Sequence, residues 1–389
     1  MPFLSFVPRT GYSFRMMISL WLSPENMKSR CTDSARRAPG GYDEYADNRD
    51  CGTFAGIRGR TCRNKTSQAT CGDAFCILPE SSTELSFANC ESLAQMTELI
   101  AAWKKGDTAE GYRIMSEIGR GAASVIYLVQ DPKTKQIWAL KHVVKNNPKE
   151  QRFLDQTEME YKIASQLDHK SIRKIPRIIK KGSLLKTNEL YLVMELVDGV
   201  SLHEEQPDDL ATIVDVFHQT ASGLAQMHDR GYVHADMKPH NVIVGVDLDG
   251  NHTAKLIDLG QSCKIGTIKK RIQGTPDYIA PEQVHRRAIT AKTDIYNFGA
   301  TMYWVLTGKN IPTAMGTKGD SLMSSLDDAL INKAVLVKEI NPLVPDRLND
   351  LVMECIEIDP ENRAESMDVV ADRLDLILGI LRAPPIEAD

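Results

Sequence analysis

No histidine precedes His142, and no C-x-x-C pair occurs anywhere in the 389 residues. A zinc module in the first part of the chain would need four thiolates, without the close pairs that zinc ribbons bring. No apolar run approaches the ~20 residues of a membrane-spanning helix, so no transmembrane segment is expected. Charge of one sign is not in large excess. The formal net charge of −5 gives no reason to expect nucleic acid or an anionic membrane as partner. Internal repeats and long low-complexity tracts are also missing, which argues against a repeat array. What remains is an ordinary globular composition, 42% hydrophobic and 25% charged. The length suggests two or three structural units with a sizeable core.

Six of the eight cysteines (Cys31, Cys51, Cys62, Cys71, Cys76 and Cys90) fall in the first 90 residues. That stretch has no sustained periodicity and scatters Gly, Arg, Ser and Asp. A cleaved secretory signal is poorly supported: "MMISLWL" starts only at Met16, and no A-x-A-like site follows. A disulfide framework would need an oxidising compartment, whereas the rest of the chain argues for the cytoplasm. Residues 1–91 read as a poorly ordered leader that buries too little apolar area to offset its ordering entropy. In "SLAQMTELIAAWKKG", Leu93, Met96, Leu99, Ile100 and Trp103 share one helical face, with Ser92 as N-cap and Gly106 past the end. Residues 92–111 are therefore expected to form a helical linker packed on the next domain. The segment "APPIEAD", 383–389, reads as a short disordered tail.

From Tyr112 the pattern sharpens. "YRIMSEIGRGAASVIYLVQDPKTKQIWALKHV" reads as three strands, the first two joined by a glycine turn. That turn holds Gly119 and Gly121, with Ser124 where a third glycine would complete G-x-G-x-x-G. A strand follows it rather than a helix, which argues against a dinucleotide site. Glycines in a hairpin let backbone amides approach phosphate oxygens unobstructed. Lys141 in "WALK" lies on an apolar strand, where an unpaired ammonium is costly. Glu160 is its candidate partner, one turn before Ile163 on the apolar face of a helix; its rival Glu158 points away. In "GYVHADMKPHN", Asp236, Lys238 and Asn241 sit on a loop between a helical pattern and the apolar run Val242-Ile243-Val244. A polar loop on a rigid scaffold is where catalytic groups usually lie.

With "IDLG", "GTPDYIAPE", "TDIYNFG" and "DPENR" following in order, the chain resembles the eukaryotic-like protein kinase family, of the kind also found in bacteria. The resemblance runs from about Tyr112 to about Arg382. It implies an α+β fold of two lobes: a small antiparallel sheet with one main helix, 112–197, and a larger, mostly helical lobe, 198–382. It further implies an ATP-dependent serine/threonine protein kinase with ATP and magnesium as cofactors and a protein Ser/Thr hydroxyl as acceptor.

By the same resemblance, Lys141, held by Glu160, would bind the α- and β-phosphates. Asp258 and Asn241 would ligate magnesium, and both offer the hard oxygen donors that it prefers. Asp236 would accept or orient the proton of the attacking hydroxyl, and Lys238 would steady the transferred phosphate. Ile118, Gly119, Arg120, Gly121 and Ser124 belong to the glycine loop over the nucleotide. Val125 and Ala139 would layer above the adenine and Ile243 below it. Met194 sits at the gatekeeper position, Glu195 and Val197 would read the adenine edge through their backbone, and Ser201 is a candidate for the ribose. Thr275 would bond toward Asp236 and Lys238, as in serine/threonine kinases. Glu282 would pair with Arg363, and Asp294 would tie down the catalytic loop.

The main departure is Ala235, where the family usually has arginine before the catalytic aspartate. That arginine's charge is commonly balanced by a phosphorylated activation-loop residue. Its loss implies activity that does not require such phosphorylation. Leu259 in "DLG" replaces the commoner phenylalanine and stays apolar. "DLDGNH" has the look of a calcium loop but lacks its sixth-position glycine, and a hairpin turn at Asp249-Gly250 is expected instead. Two other functions compete: a pseudokinase acting as a nucleotide-binding scaffold, and a small-molecule phosphotransferase. The five groups needed for chemistry weigh against the first, and the peptide-docking segments weigh against the second.

Overall fold

A computed structural model of the chain describes residues 103–121, 123–183, 186–315 and 331–384. The expected leader, most of the expected linker helix and the last five residues of the tail lie outside them.

The part of the linker that is described is not helical. Asp107 accepts a hydrogen bond from the Lys104 N–H at 2.7 Å, and Gly106 turns the chain with φ +98°. The backbones of Gly106 and Asp107 then pair with Ile114 at 2.9 Å each, so the segment adds an edge strand instead. The apolar stripe from Leu93 to Ile100 lies outside the described residues, and the turn at Gly106 falls where that helix was expected to have ended. Trp103 packs on that sheet, donating its backbone N–H to the Tyr127 hydroxyl at 3.2 Å.

Six antiparallel strands build the small lobe: β1 (Thr108–Ala109), β2 (Tyr112–Arg120), β3 (Ser124–Gln130), β4 (Ile137–Val144), β5 (Arg177–Ser183) and β6 (Lys186–Glu195), in spatial order β1-β2-β3-β4-β6-β5. Alternation along each strand splits the apolar residues between two faces. Val125, Tyr127, Val129, Leu140, Tyr191 and Val193 make an outer cluster with Trp103 at its edge. The inner face, carrying Ala139, Leu192 and Met194, joins one continuous core that also takes in helix α1 (Gln151–Ala164) and the large lobe.

At Gly199 the chain passes from one lobe to the other. A Cβ there would lie 2.3 Å from the Val244 carbonyl oxygen, so only glycine permits the crossing so close to the sheet beneath. That sheet comprises β7 (Val200–Ser201), β9 (Val242–Val246) and β10 (His252–Leu256) in the order β10-β9-β7. The β9–β10 connection is the expected hairpin: Asp247 accepts from the N–H groups of Asp249 and Asn251 at 2.9 and 2.8 Å, and Gly250 has φ +86°.

The large lobe packs α2 (Leu210–Asp229), the single turn α3 (Pro281–Val284), α4 (Ala291–Thr307), the short α5 (Val337–Ile340), α6 (Asp346–Cys355) and α7 (Met367–Arg382). Asp209 caps α2 through the Thr212 N–H at 2.8 Å, and Gly308 ends α4 with φ +69°. The two-lobed arrangement matches the fold expected from the sequence. No helix among the described residues is long and apolar enough to cross a membrane.

Candidate active site

The site is assembled from the ends of short elements that the core holds rigid. On β4, Lys141 donates to Glu160 Oε2 of α1 at 2.7 Å. Glu160 is fully buried, whereas Glu158 pairs with Lys180 at the surface. Burial alone would pull the Lys141 ammonium down, but Glu160 and Asp258 outweigh it and hold its pKa above the ordinary lysine value.

Asp258 sits just past β10 in a left-handed conformation, φ +63°, with Gly260 N–H bonded to its carboxylate at 3.3 Å. Such a backbone costs energy for a non-glycine residue and persists where surrounding structure fixes it. Burial pushes the Asp258 carboxyl up, yet the charges of Lys141 and Arg173 win and keep it below the ordinary carboxylate range. Lys141, Glu160 and Asp258 line one cavity of about 220 Å³, together with Arg120, Gly121 and Ser124 of the glycine turn.

The catalytic loop lies between β8 (Tyr232–Val233) and β9. Asp236, Lys238 and Thr275 form a closed triangle: Lys238 Nζ donates to Asp236 Oδ2 and to Thr275 Oγ1 at 3.0 Å each, and Thr275 Oγ1 donates to Asp236 Oδ1 at 2.9 Å. Asn241 Nδ2 donates to the Asp236 carbonyl at 2.8 Å, which leaves Asn241 Oδ1 buried without a hydrogen-bond partner among the described residues. Asp294 of α4 accepts from the His234 and Ala235 N–H groups at 2.7 Å each, and His228 Nε2 lies 2.9 Å away. Its carboxyl is held below the ordinary range because His228 offsets its burial. Glu282 and Arg363 form a buried bidentate pair at 2.8 and 3.1 Å.

Several residues stand where the sequence did not put them, or were not seen in it. Val125 is fully buried on the outer face of β3, clustered with Tyr127 and Val129, and does not reach the cleft. Its neighbour Ile126 lines the cavity instead. The strand period of two decides this, since a slip of one residue exchanges the faces. Ser201 is also misplaced as a ribose contact. It is fully buried, and its hydroxyl faces Glu204 at 3.3 Å in a local turn. Ala139 and Met194 are buried in the continuous core, and Ile118 packs partly buried against it. Ile243 is buried on the opposite face of β9 from Val242 and Val244. These four, with Glu195 and Val197, lie outside the lining of the cavity that holds Lys141 and Asp258. Gln283 was not foreseen. It is nearly buried, donates to the Ala235 and Gln273 carbonyls at 2.9 and 3.2 Å, and so ties the catalytic loop to the segment after it. Its place directly after "APE" was the available signal.

The segment from Ser262 to Thr275 is held largely by backbone. Strand β11 (Cys263–Lys264) pairs with β8, and β12 (Thr267–Ile268) pairs with β13 (Ala288–Ile289). Lys269 Nζ reaches back to the Gln261 carbonyl at 2.6 Å. Ala235 itself is fully buried at φ +61°, packed with Val233, Ile289 and Cys263.

Comparison with known proteins agrees with this geometry. Residues 112–374 match the protein kinase domain family. A probable serine/threonine-protein kinase of Clostridium acetobutylicum is 30% identical over 271 residues, covering 68% of this chain and 39% of its own length. The serine/threonine-protein kinase PrkC of Bacillus subtilis is 29% identical over 271 residues, 67% of this chain and 40% of that protein. PkaB of Streptomyces coelicolor, also a serine/threonine-protein kinase, is 28% identical over 284 residues, 70% of this chain and 64% of its own. The chain thus spans less than two thirds of each of these relatives. It belongs to the protein kinase domain family and is similar to these bacterial serine/threonine kinases.

Proposed function

We propose that this protein is an active ATP-dependent serine/threonine kinase that transfers the γ-phosphate to a protein hydroxyl. One observation carries the reading: Lys141 Nζ is 2.7 Å from Glu160, and Asp258 lines the same cavity. Phosphoryl transfer needs little covalent help from the protein and much positioning and charge stabilisation. The site offers both.

Asp236 accepts or orients the proton of the incoming hydroxyl. Its two carboxylate oxygens are held by Thr275 and Lys238, so its direction is set before substrate arrives. Lys238 faces the transferred phosphate, and Lys141 faces the two that remain. The new bond joins the acceptor oxygen to the γ-phosphorus, the bond from that phosphorus to the bridging oxygen breaks, and ADP leaves.

The donor set fits magnesium. Asp258 is anionic, and Asn241 Oδ1 is buried and lacks a partner among the described residues. Ile257 N–H donates to the Asn241 carbonyl at 2.9 Å, which ties the orphan oxygen's residue to the one before Asp258, and such a pair of oxygen donors suits a hard cation. Asp258 and Asn241 would hold that ion, which when bound neutralises phosphate charge. Arg120 and Gly121 of the hairpin would cover the phosphates, and Ile126, Ala139, Met194 and Ile243 would enclose the base, with Glu195 and Val197 meeting its edge.

Activity without activation-loop phosphorylation is part of the proposal. Ala235 offers no charge for a phosphate to balance, and the backbone bonds of β11 and β12 already hold the segment. Incubation with γ-labelled ATP, magnesium and a generic protein substrate, beside Asp236→Asn, tests the reading. The variant should lose the label. Absence of label in both lanes would favour a nucleotide-binding scaffold.

A further inference from the structure

The residues discussed so far leave one charged group in the cavity unassigned. Arg173 lines it beside Lys141, Glu160, Asp258 and Gly260, yet belongs to none of the motifs. Its position is fixed by backbone. Arg173 N–H donates to the Leu256 carbonyl at 2.9 Å, and Leu256 N–H donates to the Ser171 carbonyl at 2.7 Å. Arg173 is thereby fastened to the end of β10, two residues before Asp258.

Two orphan atoms occur here. Arg173 Nε is buried with no hydrogen-bond partner among the described residues, and so is Glu160 Oε1, the carboxylate oxygen that Lys141 does not use. Burying such groups without partners is costly. Around them the charges balance: Lys141 and Arg173 are positive, Glu160 and Asp258 negative. Burial penalises the guanidinium, and Glu160, Asp258 and Glu195 attract it. Without Arg173, a single ammonium would face two buried carboxylates. Like charges in a low-dielectric site repel, so Glu160 and Asp258 would be pushed apart.

We propose that Arg173 is a positioning residue that holds Glu160, and with it α1, toward Asp258 and leaves Lys141 available to the nucleotide. The inference deepens the kinase reading and rests on it. The cation is tied to the strand that leads into Asp258, so the arrangement of Lys141, Glu160 and Asp258 is supported from within rather than by a phosphate on the segment after Asp258. A substitution at Arg173 acts through Glu160. Its effect therefore falls on kcat more than on KM for the protein substrate.

The test uses the full chain with Arg173→Gln, Arg173→Lys, Glu160→Gln and the double variant Glu160→Gln/Arg173→Gln. Steady-state transfer is measured beside hydrogen exchange of residues 151–164 without nucleotide. Arg173→Gln should lower kcat at least tenfold with protein-substrate KM within about twofold, and exchange across 151–164 should quicken. Arg173→Lys, which keeps the charge, should recover most of both. In the Glu160→Gln background, adding Arg173→Gln should change kcat less than about threefold. Equal losses in the Lys and Gln variants, full additivity in the double variant, or unchanged exchange in Arg173→Gln would each overturn the proposal. If Arg173→Gln does not fold, the Lys variant decides: wild-type kcat and exchange support the charge role, and losses there overturn it. A wild-type protein that transfers no phosphate would sink the kinase reading, while the exchange comparison would still report on Arg173 and α1.

Discussion

Arg363 presents five N–H donors, and all five are used. Nε donates to the Glu357 carbonyl at 2.7 Å, one terminal nitrogen to Glu282 Oε1 and the Lys292 carbonyl at 2.8 Å each, and the other to Glu282 Oε2 at 3.1 Å and the Ile358 carbonyl at 3.0 Å. That is the full capacity of a guanidinium. Its side chain is 0% exposed and that of Glu282 is 5% exposed. Glu282→Gln keeps the shape but removes the charge, and turns an NH2 donor toward an Arg363 donor. Removing one partner of a buried pair costs about 3 to 5 kcal/mol. For a domain of this size each kcal/mol lowers Tm by about 2 to 4 °C, so a fall of about 10 °C follows. Circular dichroism melts of wild type and variant read it directly. Replacing both residues, as Glu282→Leu with Arg363→Met, should cost less than Glu282→Gln alone, because no uncompensated charge stays buried. A Glu282→Gln protein melting within 2 °C of wild type, or a double variant worse than the single one, would refute the reasoning.

Lys141→Met should lower kcat by about a hundredfold or more, the scale of losing one group that stabilises transferred charge, as measured by γ-label transfer. Ser262→Ala with Thr267→Ala should leave kcat within about threefold of wild type, since the segment keeps its backbone bonds; a collapse rescued by acidic residues would count against phosphorylation-independent activity. Ile126→Ala should raise the KM for ATP, whereas Val125→Ala should lower Tm with that KM unchanged, because only Ile126 faces the cavity. Burial holds His142 below the ordinary histidine value despite Glu189. The unfolded chain therefore takes up a proton first as pH falls. The stability this contributes is fully present above pH ~6.5 and is lost as pH drops toward and through the folded value, and His142→Phe should flatten that part of a urea-denaturation profile.

Chemistry was easier to read from the chain than position. Lys141, Glu160, Asp236, Lys238, Asn241 and Asp258 stood out because they fall in the motifs that carry the resemblance; the structure sets the first two and Asp258 around one cavity and joins Asp236, Lys238 and Asn241 on one loop. The preference for Glu160 over Glu158 followed from helical period alone. Val125 failed for a related reason. In a strand one residue decides the face, and the irregular register between Glu117 and Gly119 blurs the count from the glycines. Ser201 looked polar and available, but its hydroxyl belongs to a turn. The pairing of Gly106 and Asp107 with Ile114, after the expected helix end, is visible only once the tertiary partner is known. Arg173 lies in no motif and Gln283 was marked only by following "APE"; what folding brings next to each cannot be read along the chain. Strands of two residues, such as β12 and β13, are too short to leave a periodic signal.

The account depends most on transfer of phosphate to a protein hydroxyl through Asp236. Phosphoamino acid analysis of substrate labelled from γ-labelled ATP, with wild type and Asp236→Asn side by side, tests it most directly. The account predicts phosphoserine and phosphothreonine from the wild type and neither from the variant. Label confined to tyrosine or to small molecules, or undiminished in Asp236→Asn, would contradict it.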